Sequence, residues 1–236
     1  VARRLVSKPL FFAGSMLKAG HADAMIAGVA NTTAKVIEAA LMTVGKAESI
    51  DTPSSCFLML LPNVDGSERS MIFADCAVNV EPTSEELADI AVASAKTAEF
   101  LFDETPRVAL LSFSSKGSGK HRLAEKVGEA AAMAAARAPQ VAMDGELQVD
   151  TALVESVASL KIDPLGEVAG RANVLVFPDL NSGNIAYKLT QYLAGARAVG
   201  PLLQGFAGPI ADLSRGATVE DIVDTAIVTL ARVAAR

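Results

Sequence analysis

Short apolar runs alternate along this chain with longer segments in which apolar residues recur at helical spacing. The apolar runs predict strands at 22–28, 54–61, 70–74, 108–113, 141–148, 174–178 and 198–203. The periodic segments predict helices at 10–19, 34–44, 123–137, 152–160, 184–194 and 219–233, and one further helix that begins within 81–86 and runs to about 102. Alternation of strands and helices is typical of an α/β fold, with a largely parallel sheet flanked by helices.

Local signals fix the ends of several elements. The turn at 63–66 lies between two predicted strands and indicates an antiparallel hairpin. Thr83 is followed three residues later by Glu86, which is the pattern of a capping box, so a helix is expected to begin there. Asn31 and Thr32 can cap the helix predicted at 34–44.

Charge and length exclude two classes of function. The 236 residues carry a formal net charge of -6 and no basic run longer than two, which argues against a nucleic-acid partner. The apolar runs are shorter than the roughly 18 to 20 residues of a membrane span. No signal peptide is recognisable. We therefore expect a cytoplasmic protein that binds neither nucleic acid nor membranes.

The cysteines and histidines do not suggest a metal site. Cys56 and Cys76 each lie in an apolar run, which predicts buried, reduced thiols. His21 and His121 lie in polar surroundings and are predicted at the surface. No two of these four residues have the spacing of zinc ligands, so we expect no metal.

The polar turn before the last predicted helix carries the most reactive groups. Ser214 supplies a hydroxyl, Arg215 a permanent cation, and Asp221 a carboxylate near the start of the helix. An arginine beside free helix N–H groups is a strong anion site. A structural alternative stays open, because Thr218 and Asp221 have the spacing of a helix cap.

Three further polar turns follow apolar predicted strands. In parallel α/β sheets ligands bind at the carboxyl ends of strands, so these turns are candidate substrate-binding loops. Small donors and lysine suit phosphate, although the spacing of a P-loop is absent. Helix capping and an exposed loop are the alternatives. The candidate residues are Asn31, Thr32 and Thr33; Ser114, Lys116, Gly117 and Ser118; and Asn181, Ser182, Asn184 and Lys188.

Taken in order, these segments resemble the phosphate acetyltransferase (phosphotransacetylase) family. The most specific motifs are Asp-Leu-Ser-Arg-Gly at 212–216, Gly-Pro-Leu-Leu-Gln-Gly at 200–205 and Phe-Pro-Asp-Leu-Asn-Ser-Gly-Asn at 177–184. The resemblance is also carried by 20–28, 31–34, 73–79, 82–89, 111–118 and 144–148. It runs through nearly the whole chain.

The resemblance implies reversible transfer of an acetyl group between acetyl phosphate and coenzyme A, with release of inorganic phosphate. In the implied mechanism Asp221 is the base for the coenzyme A thiol, while Ser214 and Arg215 stabilise the transition state. Coenzyme A is a substrate, and no metal or redox cofactor is required. Two alternatives stay open: an acyl-CoA-sensing domain like those of malic enzymes, and a transferase that prefers butyryl or another acyl group.

The resemblance also implies an architecture. It predicts a homodimer of two-domain α/β subunits, similar to isocitrate and isopropylmalate dehydrogenases, with a cleft between the domains. Residues 1–48 and 198–236 would form domain I, and 49–197 domain II. Relatives are usually longer, so the N-terminal portion of domain I is expected to be missing. Glu38 and Asn31 stand where many relatives carry arginine and histidine, which bears on acyl-phosphate binding and acyl preference.

Overall fold

The computed structural model describes residues 2–48, 50–63 and 65–234. Its helices are α1 (Ala2–Val6), α2 (Pro9–Lys18), α3 (Thr33–Thr43), α4 (Ser84–Leu101), α5 (Arg122–Arg137), α6 (Val149–Leu153), α7 (Glu155–Lys161), α8 (Leu180–Leu193) and α9 (Val219–Ala234). Its strands are β1 (Met25–Gly28), β2 (Ser54–Pro62), β3 (Glu68–Ala74), β4 (Arg107–Leu111), β5 (Ala142–Leu147), β6 (Val174–Val176), β7 (Arg197–Gln204) and β8 (Ile210–Leu213). The predicted α/β class is confirmed.

The strands form one mixed sheet in the order β1-β8-β7-β2-β3-β6-β4-β5. Four of the seven neighbouring pairs are parallel (β1 with β8, β3 with β6, β6 with β4, β4 with β5). The other three, all involving β7 or β2, are antiparallel. The sheet is therefore parallel at both sides and antiparallel in the middle, because the β2–β3 hairpin and β7 lie there.

Alternation along the strands separates the two largest apolar clusters, one on each face of the sheet. On one face Leu58, Ile72 and Leu110 pack with the apolar sides of α4 and α5. On the other face Met59 and Phe73 belong to a second cluster, which includes residues of α6, α7 and α8. Successive side chains of a strand point to opposite faces, so a doubly buried sheet needs apolar residues at every position. The near-continuous apolar runs of the sequence follow from this.

Several local predictions are confirmed. The hairpin pairs β2 with β3, from Cys56 opposite Ala74 to Pro62 opposite Glu68. The capping box of α4 is present: the Glu86 amide donates to the Thr83 hydroxyl, and the Thr83 amide donates to the Glu86 carboxylate. The helix consequently begins at Ser84, close to the predicted start.

Other boundaries differ from the prediction. The single helix predicted at 152–160 is two helices with Val154 extended between them. The carbonyls of Thr151 and Ala152 accept from amides of the 170–172 segment, so they are not available to continue the first helix. Helix α8 begins four residues earlier than predicted, because the Asp179 side chain caps it. Neither α1 nor β8 was predicted from the sequence.

Strand direction places the polar turns in two groups. β1 and β8 end together, with Gly28 opposite Leu213, and we call this the β8 end of the sheet. β4, β5 and β6 run the opposite way, and we call the side where they finish the β4 end. The turns at 31–33 and 214–216 follow strands at the β8 end. The turns at 112–119 and 179–184 follow strands at the β4 end.

The predicted domain boundary falls within this sheet. β1, β7 and β8 come from the segments assigned to domain I, apart from one residue of β7, and the other five strands come from 49–197. β7 and β2 are hydrogen-bonded from Gln204 opposite Ser54 to Arg197 opposite Leu60. The two segments therefore share a continuous sheet, and the division into two domains stays a prediction.

Candidate active site

The turn between β8 and α9 presents its polar groups to solvent. Ser214 and Arg215 are both exposed. The Gly216 amide donates to the Ser214 hydroxyl oxygen at 3.3 Å, which tightens the turn. Among the described residues the Arg215 guanidinium has no ion pair or hydrogen bond. All its donors are therefore free for an anionic ligand.

Asp221 lies on the first turn of α9 and caps that helix. Its Oδ2 accepts from the Thr218 amide at 2.8 Å, and its own amide donates to the Thr218 hydroxyl at 3.1 Å. This is a reciprocal capping box, so the structural alternative for Asp221 is correct. The cap uses only Oδ2, and the described part of the chain provides no partner for Oδ1. Asp221 therefore caps the helix through one carboxylate oxygen and leaves the other free for a ligand.

The start of α3 is hydrogen-bonded directly to the end of β8. The Thr33 hydroxyl donates to Oδ2 of Asp212 at 2.5 Å, two residues before Ser214. Thr32, the N-cap of α3, makes no side-chain capping bond. Two of the predicted site turns are therefore neighbours: the turn of residues 31–33 and the turn that carries Ser214 and Arg215. Among the described residues, no other side-chain hydrogen bond joins two of the predicted site turns directly.

Asn31 and Glu38 line the same cavity. The cavity has a volume of about 330 Å³ and lies between α2 and α3. Lys8 and Lys35 also line it, with Leu10 among its apolar residues. The two positions at which the resemblance implies a departure from relatives thus lie together, and two lysines supply positive charge at the same place.

The loop after β4 is held by its own hydrogen bonds. Ser114 is buried, and its hydroxyl donates to Oε1 of Glu146 at 2.8 Å; the Gly117 amide donates to the same oxygen at 2.7 Å. Burial alone would raise the pKa of Glu146, but these two bonds and the nearby Lys116 outweigh it and lower the pKa. Lys116 is also paired with Asp144.

The rest of this loop has little freedom to bind a ligand. The Ser118 hydroxyl accepts from the Ser115 amide at 2.9 Å, and Lys116 adopts a left-handed φ of 49°. A substrate that binds here would contact the exposed outer atoms of Lys116, Gly117 and Ser118, while Ser114 serves to hold the loop.

The start of α8 is also at the β4 end. Asp179 caps the helix by accepting from the Ser182 amide at 2.9 Å. Asn181 is exposed, whereas the Asn184 side chain donates to the Cys76 carbonyl at 3.1 Å. Lys188 is exposed, with its Nζ 4.9 Å from the centre of the Tyr187 ring. Only part of this predicted set is therefore free to meet a ligand.

An apolar cavity of about 320 Å³ adjoins this helix. Phe113, Phe177 and Ser182 are among its lining residues, and Lys126 lies at its side. The Lys126 ammonium donates to the carbonyls of Pro82 and Pro178 at 3.0 and 2.9 Å, so it braces the cavity wall.

Close packing holds α8 against the segment after β3. A Cβ built on Gly183 would lie 2.2 Å from the Asp75 carbonyl oxygen. Gly183→Ala is therefore expected to lower the free energy of unfolding by about 1–3 kcal/mol, although alanine normally favours helices. Urea denaturation of the variant and the unsubstituted chain measures this. An equal or higher stability would contradict the close packing of α8.

The cysteine and histidine predictions are confirmed. Cys56 and Cys76 are free and buried. Burial raises the pKa of the Cys56 thiol to about 12 and raises that of Cys76 as well, so neither is a nucleophile at neutral pH. His21 and His121 are exposed, and His121 caps α5 through its Nδ1.

Asp212 is a buried acid at the β8 end that the sequence pattern does not indicate as a candidate. It is buried, and burial raises the pKa of its carboxyl group, against the opposing effect of the Thr33 hydrogen bond. The available signal was an acid inside the apolar stretch Ile210–Leu213. That stretch was not recognised as a strand, so the acid was not recognised as buried.

Comparison with known proteins assigns the family. The family model described as phosphate acetyl/butaryl transferase matches residues 1–230. The chain belongs to the phosphate acetyl/butaryl transferase family. It is 47% identical over 230 residues to the phosphate acetyltransferase of Clostridium acetobutylicum, covering 97% of this chain and 69% of the relative. It is 50% identical over 226 residues to that of Treponema pallidum, covering 94% and 67%.

A solved structure agrees with this assignment. The phosphotransacetylase from Streptococcus pyogenes superposes with a TM-score of 0.89 at 45% identity, covering 96% of this chain and 67% of that one. Membership of the phosphate acetyl/butaryl transferase family makes the chain a transferase, as predicted. The resemblance stated from the sequence motifs is confirmed.

The three predicted catalytic side chains lie at the β8 end of the sheet. This end combines an unpaired guanidinium, a hydroxyl and a carboxylate oxygen, beside the start of another helix. Across residues 2–48, 50–63 and 65–234, no three His, Cys, Asp or Glu side chains are grouped so that they could hold a metal ion. In the same residues, no helix has both the length and the apolar character needed to cross a membrane.

Proposed function

We propose that this chain is a phosphate acetyltransferase, which moves an acetyl group reversibly between acetyl phosphate and coenzyme A. The observation that carries the proposal is the free Arg215 guanidinium beside the Ser214 hydroxyl, in a member of this transferase family. Arginine binds phosphate oxygens through two parallel hydrogen bonds, and its charge opposes the charge that develops as phosphate leaves.

In the forward direction the coenzyme A thiol attacks the acetyl carbonyl carbon. A C–S bond forms, the C–O bond to phosphate breaks, and inorganic phosphate leaves with the bonding pair. Asp221 Oδ1 accepts the thiol proton. Ordinary aspartate and thiol pKa values, about 3.9 and 8.5, leave about 6 kcal/mol to be offset. Arg215 lowers this cost by stabilising the thiolate, while Ser214 donates to the carbonyl or phosphate oxygen.

The substrate-binding turns are proposed to act by positioning. Five strand steps separate β8 from β4. β8 and β4 run in opposite directions, so in a flat sheet their directions would differ by about 180°. Neighbouring strands are rotated by roughly 20–25°, so five steps rotate the strand direction by about 100–125°. The angle between the directions of β8 and β4 is then about 55–80°. Turns at both ends therefore face partly the same way. This supports one cleft in which Asn31, Lys116 and Asn181 orient the two substrates.

The direct test is turnover by the purified chain. With acetyl phosphate and coenzyme A, acetyl-CoA should accumulate with enzyme-dependent initial rates, followed by thioester absorbance. Calorimetric binding of acetyl-CoA without turnover would instead favour the sensing domain. Competition between acetyl and butyryl phosphate in the same assay decides the acyl preference; a higher kcat/KM for butyryl phosphate would contradict the acetyl assignment.

The homodimer is proposed to form through α8. Its Ile185, Leu189, Tyr192 and Leu193 recur at helical spacing and are 56%, 52%, 79% and 80% exposed. An apolar stripe of this kind is typical of an interface. The cytoplasm is the proposed location, because the two buried thiols are unpaired.

Charge placed on this stripe should separate the dimer. Leu189→Glu is expected to convert a dimer to a monomer in sedimentation velocity, because a buried unpaired carboxylate is costly. Leu160→Glu is the matched control, since Leu160 is 88% exposed on α7 outside the stripe. A monomeric unsubstituted chain, or a variant that stays dimeric, would rule out this interface.

A further inference from the structure

Two aspartates of this chain are equally buried, but only one has its carboxylate fully hydrogen-bonded. Asp75 and Asp212 are each 2% exposed. Asp75 accepts from the Ser55 hydroxyl, from three backbone amides and from the Asn79 side chain. Asp212 accepts from Thr33 on Oδ2, and its Oδ1 has no partner among the described residues. An unpartnered buried oxygen costs folding free energy, so its presence needs a reason.

The chain around Asp212 leaves room for this oxygen. Gly28 has a φ of 109°, and a Cβ built there would lie 2.5 Å from Asp212 Oδ1 and 2.3 Å from the Leu213 carbonyl oxygen. The next residue, Val29, has a φ of 54°, a region that β-branched residues strongly disfavour. Backbone strain and an unpartnered carboxylate oxygen thus coincide in the turn from β1 to α3. Such features concentrate at functional sites.

We propose that Asp212 and Thr33 are a positioning pair, which fixes the start of α3 relative to the Ser214–Arg215 turn so that both can hold the phosphate group of the substrate. Thr33 is the first residue of α3, and Asp212 precedes Ser214 by two residues. Their hydrogen bond therefore joins the two turns directly. The inference rests on the proposed function in placing phosphate at the β8 end.

The pair acts through the turns and not by contact with substrate, because Asp212 is enclosed in the sheet. A phosphate between the α3 amides and Arg215 needs both sets of donors at a fixed spacing, since bidentate contacts weaken when donors shift. Loss of the Thr33 hydroxyl would remove the side-chain hydrogen bond that holds Asp212 Oδ2. The carboxylate would then turn toward water and move the end of β8.

Thr33→Val tests the pair, because it removes the hydroxyl with little change in volume. Thr43→Val is the matched control: it lies on the same helix, and its hydroxyl bonds only the Ala39 carbonyl. Calorimetry with inorganic phosphate should give a Kd about 10- to 100-fold higher in Thr33→Val than in the control. The KM for acetyl phosphate should rise likewise, while that for coenzyme A stays within about twofold. Thr33→Ser should restore both values.

Equal phosphate affinity in Thr33→Val and Thr43→Val would overturn the pair, as would failure of Thr33→Ser to improve on Thr33→Val. Absence of phosphate binding by the unsubstituted chain would also overturn it. Should Thr33→Val not fold, Thr33→Ala gives the same comparison. Failure of the unsubstituted chain to make acetyl-CoA would count against the proposed function alone, because phosphate calorimetry does not depend on turnover.

Discussion

Replacing Arg215 with alanine should reduce kcat/KM for acetyl phosphate by about 100- to 1,000-fold, the range expected when a donor to a developing anion is lost. The folded state should be unaffected, because the guanidinium is exposed and makes no ion pair with the described residues. Arg215→Lys keeps the positive charge but loses the bidentate hydrogen bonding to phosphate, so it should recover only part of the activity. Initial rates with each substrate varied, together with thermal melting, measure these effects.

Arg122→Ala is the matched control for this prediction. Arg122 is also exposed and begins a helix, α5, but at the β4 end of the sheet. Its removal should leave kcat/KM within about twofold of the unsubstituted value, because Arg122 is not among the residues proposed to bind or transfer the substrates. If Arg215→Ala and Arg122→Ala had the same activity, Arg215 would have no place in the transfer step.

Asp221→Asn should lower kcat by about 100- to 10,000-fold, the usual contribution of a general base. The asparagine oxygen can still accept from the Thr218 amide, so the cap of α9 and the stability should be retained. Glu220→Gln removes the same charge from the same helical turn and should leave kcat nearly unchanged. The three chains are compared at saturating substrates.

The pH dependence separates a base from a cap. Without a base, transfer must wait for spontaneous ionisation of the thiol, so the rate of Asp221→Asn should climb with pH toward the thiol pKa of about 8.5. If the aspartate served only as a cap, Asp221→Asn should leave both the rate and its pH profile unaltered, because the asparagine oxygen keeps the bond to the Thr218 amide. Near-normal turnover by Asp221→Asn would show that the aspartate serves only the helix.

The elements that the sequence predicted well are those with both a clear period and a local cap. The capping box of Thr83 and Glu86 and the hairpin around 63–66 depend on neighbouring residues, so local patterns were sufficient. The interruption of the helix at Val154 depends on amides from the distant 170–172 segment, so the residues near Val154 do not predict it. Strand β8 has four residues and contains an aspartate, so its burial came from tertiary packing.

The same distinction holds for the candidate site. Ser214, Arg215 and Asp221 were found because a polar cluster beside a helix start, and the family motif, are visible in the sequence. The hydrogen bond between Thr33 and Asp212 spans 179 positions and is not visible there. Nor does the sequence show that the Ser114 hydroxyl is turned inward to Glu146. The sequence predicts which polar residues lie in the candidate turns. It does not predict which of their side chains are already hydrogen-bonded within the protein.

A crystal structure of the chain with coenzyme A and phosphate bound would test whether transfer occurs at the turn between β8 and α9. We expect the coenzyme A sulfur within hydrogen-bonding distance of Asp221 Oδ1, and phosphate oxygens on the Arg215 guanidinium. A sulfur atom in the apolar cavity beside Phe113, with phosphate away from Arg215, would contradict this expectation.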